Sequence, residues 1–176
     1  MKKIFAAVLV LLALAGLCAC GKTAEPVTEP LTQPESEPGY DGMANPWQDC
    51  SAIEDAVEIA GFNIAVPDRI EGYPETVIQA MDKKMIQVFY CNASFDYDNA
   101  KTVLIRKGTG SEDISGDYNE YPETKTQTMH GVEVTLKGSN GLVNNAVWYQ
   151  GGFAYSISAD DGMSAKQIES LVELIK

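Results

Sequence analysis

Apolar and polar residues alternate through much of this chain between positions 62 and 159. The clearest runs are MIQVFY at 85–90, VEVTLK at 132–137 and FAYSIS at 153–158. A period of two is typical of antiparallel strands that pack one face on a core and leave the other nearer water. We therefore predict strands near 62–66, 76–81, 85–91, 102–107, 124–129, 132–137, 142–149 and 153–159.

Short polar breaks separate several of these runs: DKK at 82–84, HG at 130–131, GSNG at 138–141 and QGG at 150–152. Breaks of this length and composition are typical of β-hairpins. Parallel strands need longer crossovers, which are usually helical. No stretch between the predicted strands has the pattern of a helical crossover, so we expect an antiparallel meander.

Helix signals frame the predicted strands. Ser51 to Glu54 forms a capping-box motif, followed by an apolar stripe at 53, 56, 57 and 60 and a stop at Gly61. Ser164 to Gln167 forms a second capping box, followed by a stripe at 168, 171, 172 and 175. The predicted fold class is α+β, an antiparallel β-sheet meander with an N-terminal and a C-terminal amphipathic helix packed on one face, over residues 47–176.

The first twenty residues carry the pattern of an export signal. Two lysines precede an apolar run at 4–17, which is shorter than the roughly 20 residues that span a membrane. The sequence LCAC at 17–20 resembles the lipobox of bacterial lipoproteins, with an aliphatic Leu17 and a small Ala19 before Cys20. We predict a cleaved signal peptide at 1–19 and acylation of Cys20, with palmitate-type chains. The alternative is an ordinary signal peptide with incidental cysteines.

Residues 20–46 have the composition of a linker rich in proline, glutamate and threonine. Prolines recur at 26, 30, 34 and 38, and this spacing forbids a helix and favours extended geometry. A solvated spacer is the interpretation we prefer; an O-glycosylated stalk has the same composition. The lipobox resemblance implies a diacylglyceryl group at Cys20, and its two acyl chains would give stable anchoring without a spanning helix. We therefore expect a lipid-anchored protein on the extracellular face of a bacterial cell membrane, with the lipid bilayer as its first partner.

Two cysteines remain after removal of Cys18 and acylation of Cys20. An exported chain with two remaining thiols suggests a disulfide between Cys50 and Cys91. The alternative is a pair of buried free thiols. A metal site is poorly supported, because the chain has no C-x-x-C motif and His130 is its single histidine.

Five segments together resemble one bacterial family. They are NPW at 45–47, AVEIAGFNIAVP at 56–67, LIRKGTGSEDISGDYNEY at 104–121, VTLKGSNG at 134–141 and AVWYQGGFAYSIS at 146–158. The family is called domain of unknown function 4367. The resemblance spans nearly all of 45–176 and implies an exported lipoprotein of a Gram-positive bacterium. It implies no activity, since the family has none assigned.

The sequence carries no recognised catalytic motif. It has no G-x-S-x-G elbow, no H-E-x-x-H and no phosphate-binding glycine loop, and His130 falls in a predicted turn. A net charge of −12 opposes contact with nucleic acid, which needs positive charge. We predict no catalytic residues, no metal site and no nucleic-acid partner.

One acidic loop is the candidate site for a ligand or a partner. Asp113, Ser115, Asp117 and Asn119 place oxygens at alternate positions, as calcium loops do, but the glycine and the final glutamate of an EF-hand are missing. The second interpretation is a loop whose polar side chains cap local turns. The third is a recognition surface, to which tyrosines would contribute. The candidate residues are Asp113, Ser115, Asp117, Tyr118, Asn119, Glu120 and Tyr121. We predict no cofactor, with calcium as the alternative.

These observations favour a non-enzymatic lipoprotein domain that binds or senses something at the cell envelope. Its expected partner is an envelope protein or a small-molecule ligand. The alternative is an accessory or inhibitory subunit of a neighbouring membrane protein. A small extracellular hydrolase acting through paired carboxylates ranks behind both, because such enzymes also need a sugar groove.

Overall fold

The structure is a computed structural model that describes residues 45–95 and 99–175. It consists of eight strands and two helices. In chain order they are β1 (Gln48–Cys50), α1 (Ile53–Ala60), β2 (Glu75–Met81), β3 (Met85–Cys91), β4 (Thr102–Thr109), β5 (Glu123–Met129), β6 (Val132–Ser139), β7 (Leu142–Gln150), β8 (Phe153–Met163) and α2 (Ala165–Leu174). The predicted signal peptide, Cys20 and most of the linker lie outside the described residues.

The eight strands form one antiparallel sheet in the order β1-β2-β3-β4-β8-β7-β6-β5. Two four-stranded meanders are thus joined side by side through pairing of β4 with β8, for example Ile105 opposite Ile157. The antiparallel α+β prediction is confirmed as an eight-stranded sheet with two helices. Because β8 lies next to β4, the connection from β4 to β5 must cross three strands of the sheet. Residues 110–122, which we call the crossover loop, carry the chain from the middle of the sheet to its far edge.

Three tight hairpins build the second meander. His130–Gly131, Asn140–Gly141 and Gly151–Gly152 form the turns, and each residue has a positive φ. Positive φ at both central residues defines the type I′ turn, whose twist matches that of the flanking strands. The HG, NG and GG pairs of the sequence are therefore turns, as predicted.

The two helices cover the apolar side of the sheet. Helix α1 packs against β1, β2 and β3, and α2 packs against β5, β7 and β8. Buried side chains of both helices join one apolar cluster with alternate residues of the strands. Each fully buried Ile or Val contributes about 1.5–3 kcal/mol relative to exposure. Members of the cluster include Ala56, Ala60, Val88, Ile105, Leu136, Trp148, Ile157, Ile168 and Ile175.

The helix starts differ from each other in their capping. Ser164 caps α2 as predicted: its Oγ accepts from Gln167 N at 3.3 Å, and Gln167 Oε1 accepts from Ser164 N at 3.0 Å. The predicted capping serine of α1 was wrong, because the N-cap residue is Ala52. Asp55 Oδ2 instead accepts from the backbone N–H groups of Ser51 and Ala52, both at 3.1 Å.

Residues 62–66 are not a strand, contrary to the prediction. Ile64 is buried against the sheet, and the carbonyl of Asn63 accepts a hydrogen bond from Lys107 Nζ at 2.7 Å. The Lys107 ammonium is itself buried and lies 4.5 Å from the ring centroid of Phe153, and its burial lowers the pKa of the lysine. Apolar and polar residues alternate in this segment because every second side chain contacts the sheet. The short strand β1 was not predicted.

The predicted disulfide between Cys50 and Cys91 is absent, since both are free thiols. Cys50 of β1 lies opposite Ile78 of β2, and Cys91 of β3 lies opposite Glu75 of β2. The two cysteines are therefore two strands apart and offset by three residues along the strands. At ordinary sheet spacings this separation is about 14 Å, and a disulfide needs Cα atoms within about 7 Å. The odd number of residues also places the two thiols on opposite faces of the sheet.

Candidate functional site

The crossover loop lies on the face of the sheet opposite the helices, and Arg106 of β4 holds its start. The guanidinium NH1 donates to the carbonyls of Ile114 at 3.0 Å and Ser115 at 2.6 Å. Its Nε donates to Gln87 Oε1 at 2.9 Å. Gln87 and Gln79 continue this polar row across β3 and β2. A long-range network therefore fixes where the loop begins.

Three side chains of the loop cap successive turns. Asp113 Oδ1 accepts from the backbone N–H of Ser115 at 2.9 Å. Ser115 Oγ accepts from Asp117 N at 3.2 Å, and Asp117 Oδ1 accepts from Asn119 N at 2.9 Å. These are the two-residue spacings of Asx and ST turns. Three of the four alternate oxygens seen in the sequence, those of Asp113, Ser115 and Asp117, therefore accept hydrogen bonds from the loop's own backbone.

Asp117 joins the loop to the sheet. Its Oδ2 accepts from Tyr121 Oη at 2.7 Å and from Asn145 Nδ2, on β7, at 3.1 Å. Its Oδ1 also accepts from Asn119 Nδ2 at 2.7 Å. Burial acts to raise the pKa of Asp117, but these hydrogen bonds outweigh it and lower the pKa below its ordinary value. The carboxylate is thus stabilised in its charged form.

A second carboxylate anchors the loop farther along the sheet. Asp113 Oδ2 lies 3.2 Å from Lys137 Nζ, on β6. Burial opposes ionisation, yet the hydrogen bonds from Ser115 and Lys137 and the lysine charge lower the pKa of Asp113. The pair is partly exposed, so the ion pair itself adds little to stability.

A polar pocket of about 260 Å³ lies between the crossover loop and the sheet. The loop supplies four of the predicted site residues and Gly116, and β7 and β8 supply the other four lining residues. The lining residues are Ser115, Gly116, Asp117, Asn119, Tyr121, Asn144, Ser158, Ala159 and Asp160.

Asn145 lies behind this pocket and hydrogen-bonds to the Asp117 carboxylate that lines it. The side chain is fully buried, and its Nδ2 donates to Asp117 Oδ2 and, at 3.4 Å, to Ser158 Oγ. Its Oδ1 has no hydrogen-bond partner among the described residues. Buried polar atoms are normally paired, so an orphaned acceptor marks a site to be explained. The alternation in the sequence places Asn145 on the same face as Lys137, but nothing local indicates that a loop covers it.

The structure does not bring all seven predicted residues together. Asp113 lies at the start of the loop beside Lys137, outside the pocket lining. Tyr118 and Glu120 are not among the residues that line the pocket, and Tyr118 is 96% exposed. Sequence reasoning missed Asn144, Ser158 and Asp160, because these residues meet the crossover loop only where the pairing of β4 with β8 carries that loop across β7 and β8.

A larger cleft of about 370 Å³ lies between the start of β5 and the start of α2. Its floor is apolar and includes Leu136, Val143 and Ala165. It holds fewer convergent polar groups than the crossover-loop pocket. His130 lies in the β5–β6 turn, outside the linings of both cavities, with Nε2 3.9 Å from Glu173 Oε2.

Two further observations concern metals and membranes. Within residues 45–95 and 99–175, no three His, Cys, Asp or Glu side chains group closely enough to hold a metal ion. Neither helix in this part of the chain has the length and apolarity needed to cross a membrane.

The chain matches no family model, no curated protein and no solved structure. Its resemblance to domain of unknown function 4367 therefore stays a prediction.

Proposed function

We propose that this protein is a non-enzymatic binding module, held on the outer face of a bacterial membrane through Cys20, whose ligand is a small organic cation. The observation that carries the ligand proposal is the polar pocket between the crossover loop and the sheet. Carboxylate, hydroxyl and amide groups converge there over a buried asparagine whose side-chain oxygen has no partner among the described residues. Convergent polar groups in a concave site are typical of ligand recognition.

The lining favours a ligand rich in hydrogen-bond donors. Asp117 and Asp160 supply carboxylates, and Ser115, Ser158 and Tyr121 supply hydroxyls. No lysine or arginine is among the described residues that line the pocket. At about 260 Å³ the pocket is smaller than the 300–1,000 Å³ typical of drug-sized ligands. A small compound with an ammonium group, which donates three hydrogen bonds, matches both the size and the charge.

The two carboxylates of the pocket have different roles in this proposal. Asp117 already accepts four hydrogen bonds, which fill the capacity of a carboxylate. Asp160 Oδ2 accepts from the N–H and the hydroxyl of Thr102, at 2.7 and 3.1 Å. Both of these hydrogen bonds use Oδ2, and none is given to Oδ1 by residues 45–95 and 99–175. Asp117 therefore holds the loop, and Asp160 pairs with the ligand's positive charge.

The test is calorimetric titration of the protein with putrescine, a small diamine, with Ca²⁺ and glycerol as comparators. We expect putrescine to bind and to shift the amide NMR signals of residues 115–121 and 158–160. Asp160→Asn abolishes this binding, whereas Asp161→Asn, a charge change one residue away and outside the pocket lining, leaves it intact. Equal putrescine binding by both variants, or no binding by the unchanged protein, would contradict the ligand proposal.

The lipid anchor is tested separately. Its support is the lipobox resemblance at 17–20 and the proline-rich spacer that follows. Cells expressing the full chain are grown with a clickable palmitate analogue, and we expect label on the membrane fraction of the unchanged protein and of Cys18→Ser. Cys20→Ser should lose both the label and the membrane association. An unmodified chain that still begins at Met1 and remains in the cytosol would overturn this part of the proposal.

A further inference from the structure

The two edges of the sheet differ in length and in protection. The β1 edge has only three residues, which leaves little backbone for another strand to pair with. The β5 edge has seven residues, and the side chains of residues 123–128 are all exposed. Within residues 45–95 and 99–175, no strand pairs with its outer side. An edge of this length presents a row of unpaired N–H and C=O groups.

The side chains of β5 are arranged symmetrically about its central residue. Thr124, Thr126 and Thr128 lie on the crossover-loop face, where Thr126 is opposite Thr135 of β6. Lys125 and Gln127 lie on the helix face. Threonine is well suited to the pleated surface of a strand. If two copies of this strand pair antiparallel about Thr126, each threonine lies opposite a threonine and Lys125 lies opposite Gln127.

The local charge is balanced at this edge although the chain as a whole is acidic. Strand β5 carries Glu123 and Lys125, and β6 carries Glu133 and Lys137. The net charge of the chain is −12, so the excess of acidic groups lies elsewhere. Screening at physiological salt acts over about 8 Å, which limits repulsion from more distant carboxylates. Balanced charge therefore lets a second copy of this edge approach, and the arrangement of side chains about Thr126 makes the strand complementary to itself.

We propose that β5 pairs antiparallel with β5 of a second copy, which joins two sheets into one across a two-fold axis. At the centre Thr126 faces the partner subunit's Thr126, and Thr124 faces the partner subunit's Thr128. Lys125 faces the partner subunit's Gln127, so no like charges lie directly opposite. Cross-strand threonine pairs are favourable, whereas like charges in that position are destabilising. The interface is isologous, as a two-fold axis requires.

A single strand pair gives a weak dimer. Standard stable interfaces bury about 800 Å² on each partner, and a seven-residue edge supplies less than this. The association is therefore dependent on concentration and favoured where chains are crowded. This inference is independent of the pocket ligand and of the lipid anchor, because it concerns the folded domain alone.

Sedimentation velocity across a wide concentration range tests the proposal with two charge variants at the two-fold axis. Thr126→Lys and Thr126→Asp each place like charges opposite one another, and we expect each to raise the dissociation constant by about tenfold or more. An equimolar mixture should restore association, since lysine then faces aspartate. Thr76→Lys, an exposed threonine on β2, is the matched control and should dimerise like the unchanged protein.

Three outcomes support or overturn pairing of β5 with a second copy. Restoration in the mixture, with normal circular dichroism for both variants, supports pairing through β5 in this register. A monomer at every concentration for the unchanged protein overturns the proposal and leaves a strand from a different protein as the occupant to consider. Dimers of Thr126→Lys as strong as those of the control also overturn it.

Discussion

A Cβ atom at position 116 would lie 2.7 Å from NH1 of Arg106. Gly116 has a φ of +68°, a conformation in which a side chain is strained, and it sits where the crossover loop passes over the arginine. The same guanidinium holds the carbonyls of Ile114 and Ser115. Moving it away from a new methyl group would therefore release the start of the loop.

Gly116→Ala should lower the free energy of unfolding by more than the strain of its backbone alone. Left-handed geometry costs about 1–2 kcal/mol for a residue other than glycine, and the displaced arginine adds about 1 kcal/mol for each weakened hydrogen bond. Gly72→Ala is the matched control, since its φ is +86° and nothing lies within 4 Å of the added Cβ. Urea denaturation compares the two. If both variants lose the same free energy of unfolding, Arg106 can move without destabilising the loop.

The folded protein should lose stability in acid through the crossover loop. The folded-state pKa values of Asp113 and Asp117 lie below their ordinary values. Each carboxylate therefore contributes stability above its unfolded-state pKa of about 4, and this contribution is lost as the pH falls through the lower folded-state value. Urea midpoints at about pH 7 and about pH 3 measure the change.

Asp117→Asn tests which carboxylate is responsible. We expect a lower stability at neutral pH, by about 2 kcal/mol, because hydrogen bonds to a charged acceptor are lost. We also expect a smaller further decrease in acid. Asp82→Asn, an exposed residue of the β2–β3 turn, should retain the acid dependence of the unchanged protein. An undiminished acid decrease in Asp117→Asn would contradict the assignment.

Replacement by alanine should destabilise the protein at Ser164 but not at Ser156. Ser164 caps α2, and its removal should lower stability by about 1 kcal/mol. Ser156 is fully buried, and its hydroxyl has no partner among the described residues. Its replacement removes a desolvated polar group without breaking a hydrogen bond, so stability should stay unchanged or rise. Thermal unfolding checks both, and a clear loss in Ser156→Ala would reveal a partner for that hydroxyl.

The two cysteines should react as separate thiols of unequal access. Cys91 is fully buried and Cys50 is partly exposed, and burial raises the pKa of both thiols, which reduces the reactive thiolate. Under native conditions we expect iodoacetamide to label Cys50 before Cys91, and in urea both equally. Peptide mass spectrometry without reductant measures how much of each cysteine has been labelled. A peptide pair linked through these cysteines would contradict the sheet register.

Local signals in the sequence located most of the strands and turns. The alternation at 85–90, 132–137 and 153–158 coincides with β3, β6 and β8, because side chains of a strand point to opposite faces in turn. Asn140–Gly141 set a hairpin since both residues tolerate positive φ. The Ser164 cap could also be read directly, because its hydrogen bonds span only three residues. Each of these features depends on neighbours close in the chain.

Alternation alone does not distinguish a paired strand from an extended segment lying on a sheet. Residues 62–66 alternate like a strand, yet they lie against the sheet without pairing to it, and Lys107 Nζ donates a hydrogen bond to the Asn63 carbonyl. The distinction depends on backbone partners, which come from distant parts of the chain. The same limit applied to the cysteines, whose number suggested a bond that the register of β1, β2 and β3 excludes.

The candidate loop was visible in the sequence as a run of acidic and aromatic residues, but its site was decided by tertiary structure. Pairing of β4 with β8 sends the connection to β5 across the open face of the sheet. That path brings Asp117 to Asn145 and the loop to Asp160. The sequence by itself determined which segments extend, turn and coil, because those choices follow from backbone geometry over a few residues. Strand order, and with it the pocket, was decided by the summed packing of residues far apart in the chain, which no local period records.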